Sequence, residues 1–246
     1  MTYYLFERDL TSDHVSYHYC FLNYDKVQFI NKSKIQKDYE YLYDILTNDL
    51  KEIRTLPYFH KAITPQNKFI ESPYFHLSVN AISEQEYQLI NKTFGLNTNY
   101  KYSYFTKLIS DIGHKTSFKC GFLLNEFNNI EHKLKEEALD LAKSVGGSNY
   151  NILYAFDFDD DGKVIEDNIN VEILPNYSKE TFVSIKNVLE TKFSHMNGYY
   201  LEKYEKMFNG YIPSKFHFHF KVKLYQDQKP TVKFYRTYNS TNPYIQ

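Results

Sequence analysis

The run FHFHFKVKLY at residues 216–225 alternates without a break for ten positions. In an extended strand, Phe216, Phe218, Phe220, Val222 and Leu224 share one face, and His217, His219, Lys221, Lys223 and Tyr225 share the other. The first face must be covered. The second carries too much charge and hydroxyl to sit in an ordinary core.

Strand-like runs of this kind come in pairs. HVSYHYCFL and KVQFI occupy 14–22 and 26–30, turning at Asn23-Tyr24-Asp25. YFHKAI and YFHLSVN (58–63, 74–80) follow, then YSYFTKLISDI and SFKCGFLL (102–112, 117–124). NILYAFDF and NINVEIL (151–158, 168–174) form a fourth pair, and 215–225 with 231–238 a fifth, turning at Asp227–Pro230. Period-two patterning bounded by Asn, Asp, Gly and Pro predicts five hairpins. Helical spacing appears between them: at 33–53, at 83–94 behind the S-x-x-E box of Ser83 and Glu86, at 130–147, at 178–196 behind Ser178, and at 199–207.

Ten antiparallel strands with helices returning between hairpins predict an α+β fold. In it a ten-stranded antiparallel β-barrel has its helices packed outside. The Phe/Val/Leu face would lie under the helices and the His/Lys/Tyr face would line the interior. An open sheet with its polar face in solvent is the competing arrangement. No Pro/Gly/Ser-rich linker divides the chain, so residues 1–246 are expected to form one domain, and a monomer is expected. A net charge of −1 gives no field for nucleic acid. Two cysteines, no long apolar run and no signal-like N-terminus predict a cytoplasmic protein without membrane attachment.

Residues 157–162, DFDDDG, admit a calcium loop, an aspartate-rich diphosphate site or a hairpin tip. The twelfth loop position is Asn168, where a calcium loop needs a bidentate glutamate, and both flanks are strand-like. Aspartates of a helical prenyl synthase would stand on helices. The hairpin tip remains, with Asp161-Gly162 as turn chemistry.

The run AFDFDDDGKVIEDNINVEILPNYSKETF (155–182) resembles the hairpin-then-helix segment of the cyanobactin peptide prenyltransferases. Shared features are a strand through Phe156-Asp157-Phe158, the Asp161-Gly162 turn, a strand ending at Glu172–Pro175, and a helix opening Ser178-Lys179-Glu180. SFKCGF (117–122) and residues 216–245 are similar more weakly, so the resemblance covers roughly half the chain. It implies the ABBA prenyltransferase barrel and transfer of a dimethylallyl or geranyl group from its diphosphate to a side chain of a cyclic ribosomal peptide. Mg²⁺ would enter with the diphosphate, with no protein-held metal.

Such a reaction needs cations and phenols around the departing diphosphate, aromatic faces for the allylic cation, and a base for the acceptor. The diphosphate candidates are Lys119, Lys221, Lys223, Tyr225, Lys233, Tyr235 and Arg236. Lys119 matches the family position in S-F-K, and strict alternation would turn Arg236 away from Lys233 and Tyr235. Tyr154 and Tyr238, with Tyr225 and Tyr235, are candidates to shield the cation. His76 is the acceptor-binding candidate, Glu172 the catalytic acid and His217 an auxiliary base. The family takes its acid from an early strand, and no inward glutamate is expected there. A non-catalytic barrel binding a peptide or isoprenoid, or a barrel prenylating a small aromatic, are the rival readings.

Overall fold

The computed structural model describes residues 2–12, 15–21, 56–63, 69–80, 82–96, 98, 100–110, 116–146, 151–159, 161–175, 178–210 and 217–239. Among them run the antiparallel strands β1 (Thr2–Asp9), β2 (Val15–Phe21), β3 (Leu56–Ile63), β4 (Phe69–Asn80) and β5 (Tyr104–Ser110). The later strands are β6 (Thr116–Phe122), β7 (Asn151–Phe158), β8 (Asn168–Leu174), β9 (His217–Tyr225) and β10 (Thr231–Asn239). Their hydrogen-bonded order is β1-β10-β9-β8-β7-β6-β5-β4-β3-β2, which closes on itself. Among the described residues β2 and β3 are in register at Tyr17↔Ile63. The helices are α1 (Glu84–Phe94), α2 (Leu124–Phe127), α3 (Lys135–Ser144), α4 (Lys179–Lys192) and α5 (Tyr199–Gly210). None is long and apolar enough to cross a membrane.

Four hairpins, β3–β4, β5–β6, β7–β8 and β9–β10, follow the sequence pattern. The first does not. β2 pairs with β1, the N-terminal TYYLFERD, whereas the expected partner 26–30 lies outside the described residues together with the helical pattern at 33–53. β1 escapes the alternation test because both of its faces mix apolar and charged residues. Arg8 can nevertheless stand on the helix-covered face, because its guanidinium lies 3.5 Å from the centre of the Tyr200 ring on α5. Asp9 ends the strand, accepting from the Thr11 amide (2.8 Å) and hydroxyl (2.7 Å).

The core sits between the sheet and the helices. On β9, Phe218, Phe220, Val222 and Leu224 are all buried. Phe182 of α4 packs onto Phe218, Phe220 and Phe234 with centroids 5.3, 5.9 and 5.8 Å away. Its full burial stabilises the helix–sheet contact by roughly 1.5–3 kcal/mol. α4 starts where Ser178 accepts from the Thr181 amide at 3.1 Å, and α1 has the capping box of Ser83 and Glu86. The pattern at 130–147 forms a shorter helix, α3, whose Ala138 and Leu141 are buried. At its start the Leu134 amide donates to His132 Nδ1 at 3.1 Å.

The acidic turn between β7 and β8 is a structural tip. Asp159 Oδ1 accepts from the amides of Asp161 (3.0 Å) and Lys163 (2.8 Å), folding the aspartate into its own turn. Gly162 is left-handed at φ 74°, and a Cβ there would lie 2.4 Å from the carbonyl oxygen of Gly95, the left-handed cap of α1. The turn is therefore packed against the end of a helix.

Candidate functional site

Because α4 covers the Phe/Val/Leu face of β9 and β10, His219, Lys221, Lys223, Tyr225 and Lys233 point to the other, inner face. Direct cross-strand partners share a face, so the register extends this set. Glu7 lies opposite Tyr235, Tyr235 opposite His219, Lys221 opposite Glu172, Lys223 opposite Asn170, and Lys119 opposite Asp157. The strands β1, β10, β9, β8, β7 and β6 thus present one continuous polar surface.

That surface is enclosed. The side chains of Lys119 and Glu172 keep only 14% and 18% of their exposure, against 59% and 60% for the surface pair Lys101–Glu84. Three ion pairs cross the strands. Lys119 Nζ donates to Glu172 Oε1 at 2.8 Å, Lys223 Nζ to Asp157 Oδ2 at 2.8 Å, and Lys233 Nζ to Glu7 Oε1. Lys119 reaches Glu172 across β7, where Ala155 stands between Asp157 and Leu153 with no side chain beyond Cβ to block it. Asn170, buried beside them, donates to the Ala155 carbonyl at 3.3 Å and to Asp157 at 3.5 Å. The His219 and Tyr235 rings stack with centroids 4.3 Å apart and planes 5° from parallel.

Enclosure and crowding of like charges set the protonation states. Burial pushes the Glu172 carboxyl up, but the Lys119 and Lys221 ammonium groups outweigh it and bring it to about 2. Asp157 is likewise held low, against burial, by Lys119 and Lys223. For Lys119, burial disfavours the cation, yet Glu172 and Asp157 hold its pKa above the ordinary lysine value. Lys221 goes the other way: burial first, then the neighbouring Lys119 cation, lower it to about 7. Burial also lowers His219 to about 4, so its imidazole is neutral at physiological pH.

Of the residues singled out in the sequence, Lys119, Glu172, Lys221, Lys223, Tyr225, Lys233 and Tyr235 meet on this surface. Lys223 Nζ also lies 5.3 Å from the centre of the Tyr225 ring. Two do not. Tyr154 belongs to the helix-covered face of β7, buried and stacked on Phe127 of α2 at 4.1 Å, so it cannot shield a cation inside. Arg236 turns outward as alternation requires, but it is buried beneath α5 with its guanidinium 5.5 Å from the centre of the Tyr204 ring. The side chains of His76, His217 and Tyr238 lie outside the described residues; His76 is paired to Tyr58 and Leu108, His217 to Thr237, and Tyr238 to Tyr4.

Besides Asp157 and Asn170, the inner face carries His219 and Glu7, none of them assigned a site role from the sequence. His219 shares its face with the lysines. Glu7 is the more consequential, since it is an early-strand carboxylate directed inward, which the sequence was not expected to supply. Recognising TYYLFERD as a strand would have required knowing that Arg8 stacks on Tyr200.

Comparison of the chain with protein-family models and with curated proteins gives no match. Solved structures do match. 5-Dimethylallyltryptophan synthase from Streptomyces coelicolor superposes with a TM-score of 0.57 at 10% identity, over 96% of this chain and 80% of that one. The same enzyme's complex with DMASPP and Trp gives 0.58 at 10% identity, over 96% and 78%. PriB in its binary complex with product diphosphate gives 0.59 at 8% identity, over 96% and 79%. At these identities the likeness is one of fold: the chain has the architecture of the ABBA prenyltransferases.

Proposed function

We propose that the inner surface is the reaction chamber of a ten-stranded ABBA barrel, and that the protein transfers a dimethylallyl or geranyl group from its diphosphate to a side chain of a ribosomal peptide. The observation that carries this reading is the enclosed wall of four lysines and two tyrosines on β6, β9 and β10 with the Glu7 carboxylate beside it. Lysines and phenols preorganised away from bulk water suit a departing diphosphate. The peptide acceptor is supported by the resemblance at 155–182.

The C1–O bond of the prenyl diphosphate breaks and leaves an allylic cation. The acceptor's nucleophilic atom bonds to C1, and the acceptor's proton passes to a base. Lys119, Lys221, Lys223 and Lys233 hold the diphosphate, with Tyr225 and Tyr235 donating hydroxyl hydrogen bonds. The stacked Tyr235 and His219 rings face the cation. Glu7 orients the acceptor and receives its proton. Glu172 is assigned a different role from the one its sequence position suggested: at about 2 its carboxylate is too weak a base and serves as the counterion of Lys119. Mg²⁺ would offset diphosphate charge. It would enter on the diphosphate oxygens, with the lysines as the protein's own cations.

The test is incubation with dimethylallyl or geranyl diphosphate, Mg²⁺ and cyclic peptides containing Tyr, Trp, His or Arg, read by mass spectrometry. Gain of one prenyl unit on a peptide is expected. Free tryptophan belongs in the same panel, because one structural neighbour was solved with Trp bound; prenylation of tryptophan alone replaces the peptide with a small aromatic. Binding of the diphosphate without product on any acceptor refutes catalysis in favour of a binding barrel.

A further inference from the structure

We propose that the chamber takes up one proton, on Lys221, when it binds a prenyl diphosphate. The inference rests on the diphosphate reading above and goes beyond it by fixing the proton stoichiometry and the residue responsible.

The geometry isolates Lys221. It sits mid-strand on β9, opposite Glu172 of β8 and Lys233 of β10. Glu172 is already bonded by Lys119, Asp157 of β7 by Lys223, and Glu7 of β1 by Lys233. Lys221 makes no ion pair to a carboxylate among the described residues, and the charged neighbour that acts on it most strongly is the ammonium group of Lys119 on β6, ahead of Glu172 and Lys233. Asp157 on β7 also acts on it, and His219 on its own strand and Tyr235 on β10 share this face, with His219 neutral there. Among the described residues four lysines confront three carboxylates, and the fourth ammonium has both burial and Lys119 against it. Its lowering to about 7 agrees with this placement. An entering diphosphate supplies the missing counter-charge and makes the ammonium form favourable. The amine then gains a proton from solvent, and no bond is broken.

The probe is dimethylallyl S-thiolodiphosphate with Mg²⁺, titrated calorimetrically into the intact protein in two buffers of different ionisation enthalpy. Comparison with Lys221→Met removes the ligand's own protonation. At pH 8 the wild type should take up about 0.9 proton per ligand more than the variant, and at pH 5.5 almost none more, as a group titrating near 7 requires. Lys221→Arg supplies a permanent cation and keeps the protein testable should Lys221→Met fold poorly. It should bind as tightly at pH 9 as at pH 7, while the wild type weakens roughly tenfold per pH unit relative to it between 7.5 and 9. Equal proton uptake at pH 8 by the wild type and Lys221→Arg, with binding retained, overturns the inference and leaves the diphosphate reading standing. Absence of binding by the wild type at millimolar ligand overturns the diphosphate reading and the inference with it.

Discussion

Replacing Glu172 by glutamine keeps the side chain's shape and removes its charge, leaving Lys119 enclosed without the carboxylate that accepts from it at 2.8 Å. The fall of the Glu172 carboxyl from 4.5 to about 2 corresponds to roughly 3 kcal/mol of preference for the ionised form in the folded protein. Breaking a buried pair from one side costs a comparable ~3–5 kcal/mol. The residual exposure of both side chains argues for the lower end of that range. A loss of about 2–4 kcal/mol at pH 7 is therefore expected in urea unfolding followed by circular dichroism. Because the folded carboxyl lies below its unfolded value, its contribution is complete above 4.5 and disappears as pH falls toward 2. The gap between wild type and Glu172→Gln should thus close as pH falls below about 4.5 toward 2. Adding Lys119→Met should restore most of the loss, since both charges are then gone. A single-variant loss under about 0.5 kcal/mol at pH 7, the value of an exposed pair, would refute the enclosed face and return the β-sheet to one washed by solvent.

Phe182→Ala, which removes the ring packed on Phe218, Phe220 and Phe234, should cost about 3–5 kcal/mol by the same unfolding assay. Gly162→Ala combines a left-handed backbone with a Cβ 2.4 Å from the Gly95 carbonyl oxygen, and should cost about 1–3 kcal/mol. Thermal unfolding measures it, and Lys163→Ala, exposed beside it, serves as the neutral control. Glu7→Gln should lower kcat by about 10²–10⁴-fold in the peptide assay without weakening thiolodiphosphate binding, since Lys233 no longer has to leave a carboxylate, a split that a purely structural residue would not produce.

Most of the strand framework was legible because each of four hairpins declares itself twice, in alternation and in turn chemistry. β9 shows this best: its apolar set met α4 and its polar set met the lysines and carboxylates of neighbouring strands. The same period-two rule correctly turned Arg236 outward, against the wish to place a cation near a diphosphate. It also applied to Tyr154, where the demand for aromatic shielding obscured it; Phe156 and Phe158, on the same parity, are buried under helices. β1 fails the rule because of a long-range contact. Arg8 and Arg236 stand where aliphatic residues would be expected, and Tyr200 and Tyr204 of a helix some two hundred residues from β1 make those positions tolerable. Glu7 stayed hidden with its strand. Ion-pair partners were illegible for a related reason: Lys119 and Glu172 are 53 residues apart, and only the register of three strands brings them together.

Three carboxylates on a surface proposed to hold an anion look counterproductive until the empty state is considered. Two ammonium groups 4 Å apart repel by about 4 kcal/mol at an effective dielectric of 20, so four of them facing one another without anions would oppose folding. Glu7, Asp157 and Glu172 remove that repulsion. On the proposed reading, a diphosphate is then bound by exchange: lysines leave internal carboxylates for external oxygens. The exchange favours a ligand of high charge density that engages several lysines at once over a single carboxylate. Lys233 has the largest consequence, because its partner is Glu7. An anion that draws Lys233 away breaks its pair with the carboxylate assigned to the acceptor. On the proposed reading, occupancy by the donor and the basicity of Glu7 are thereby coupled through the ion pair between β10 and β1.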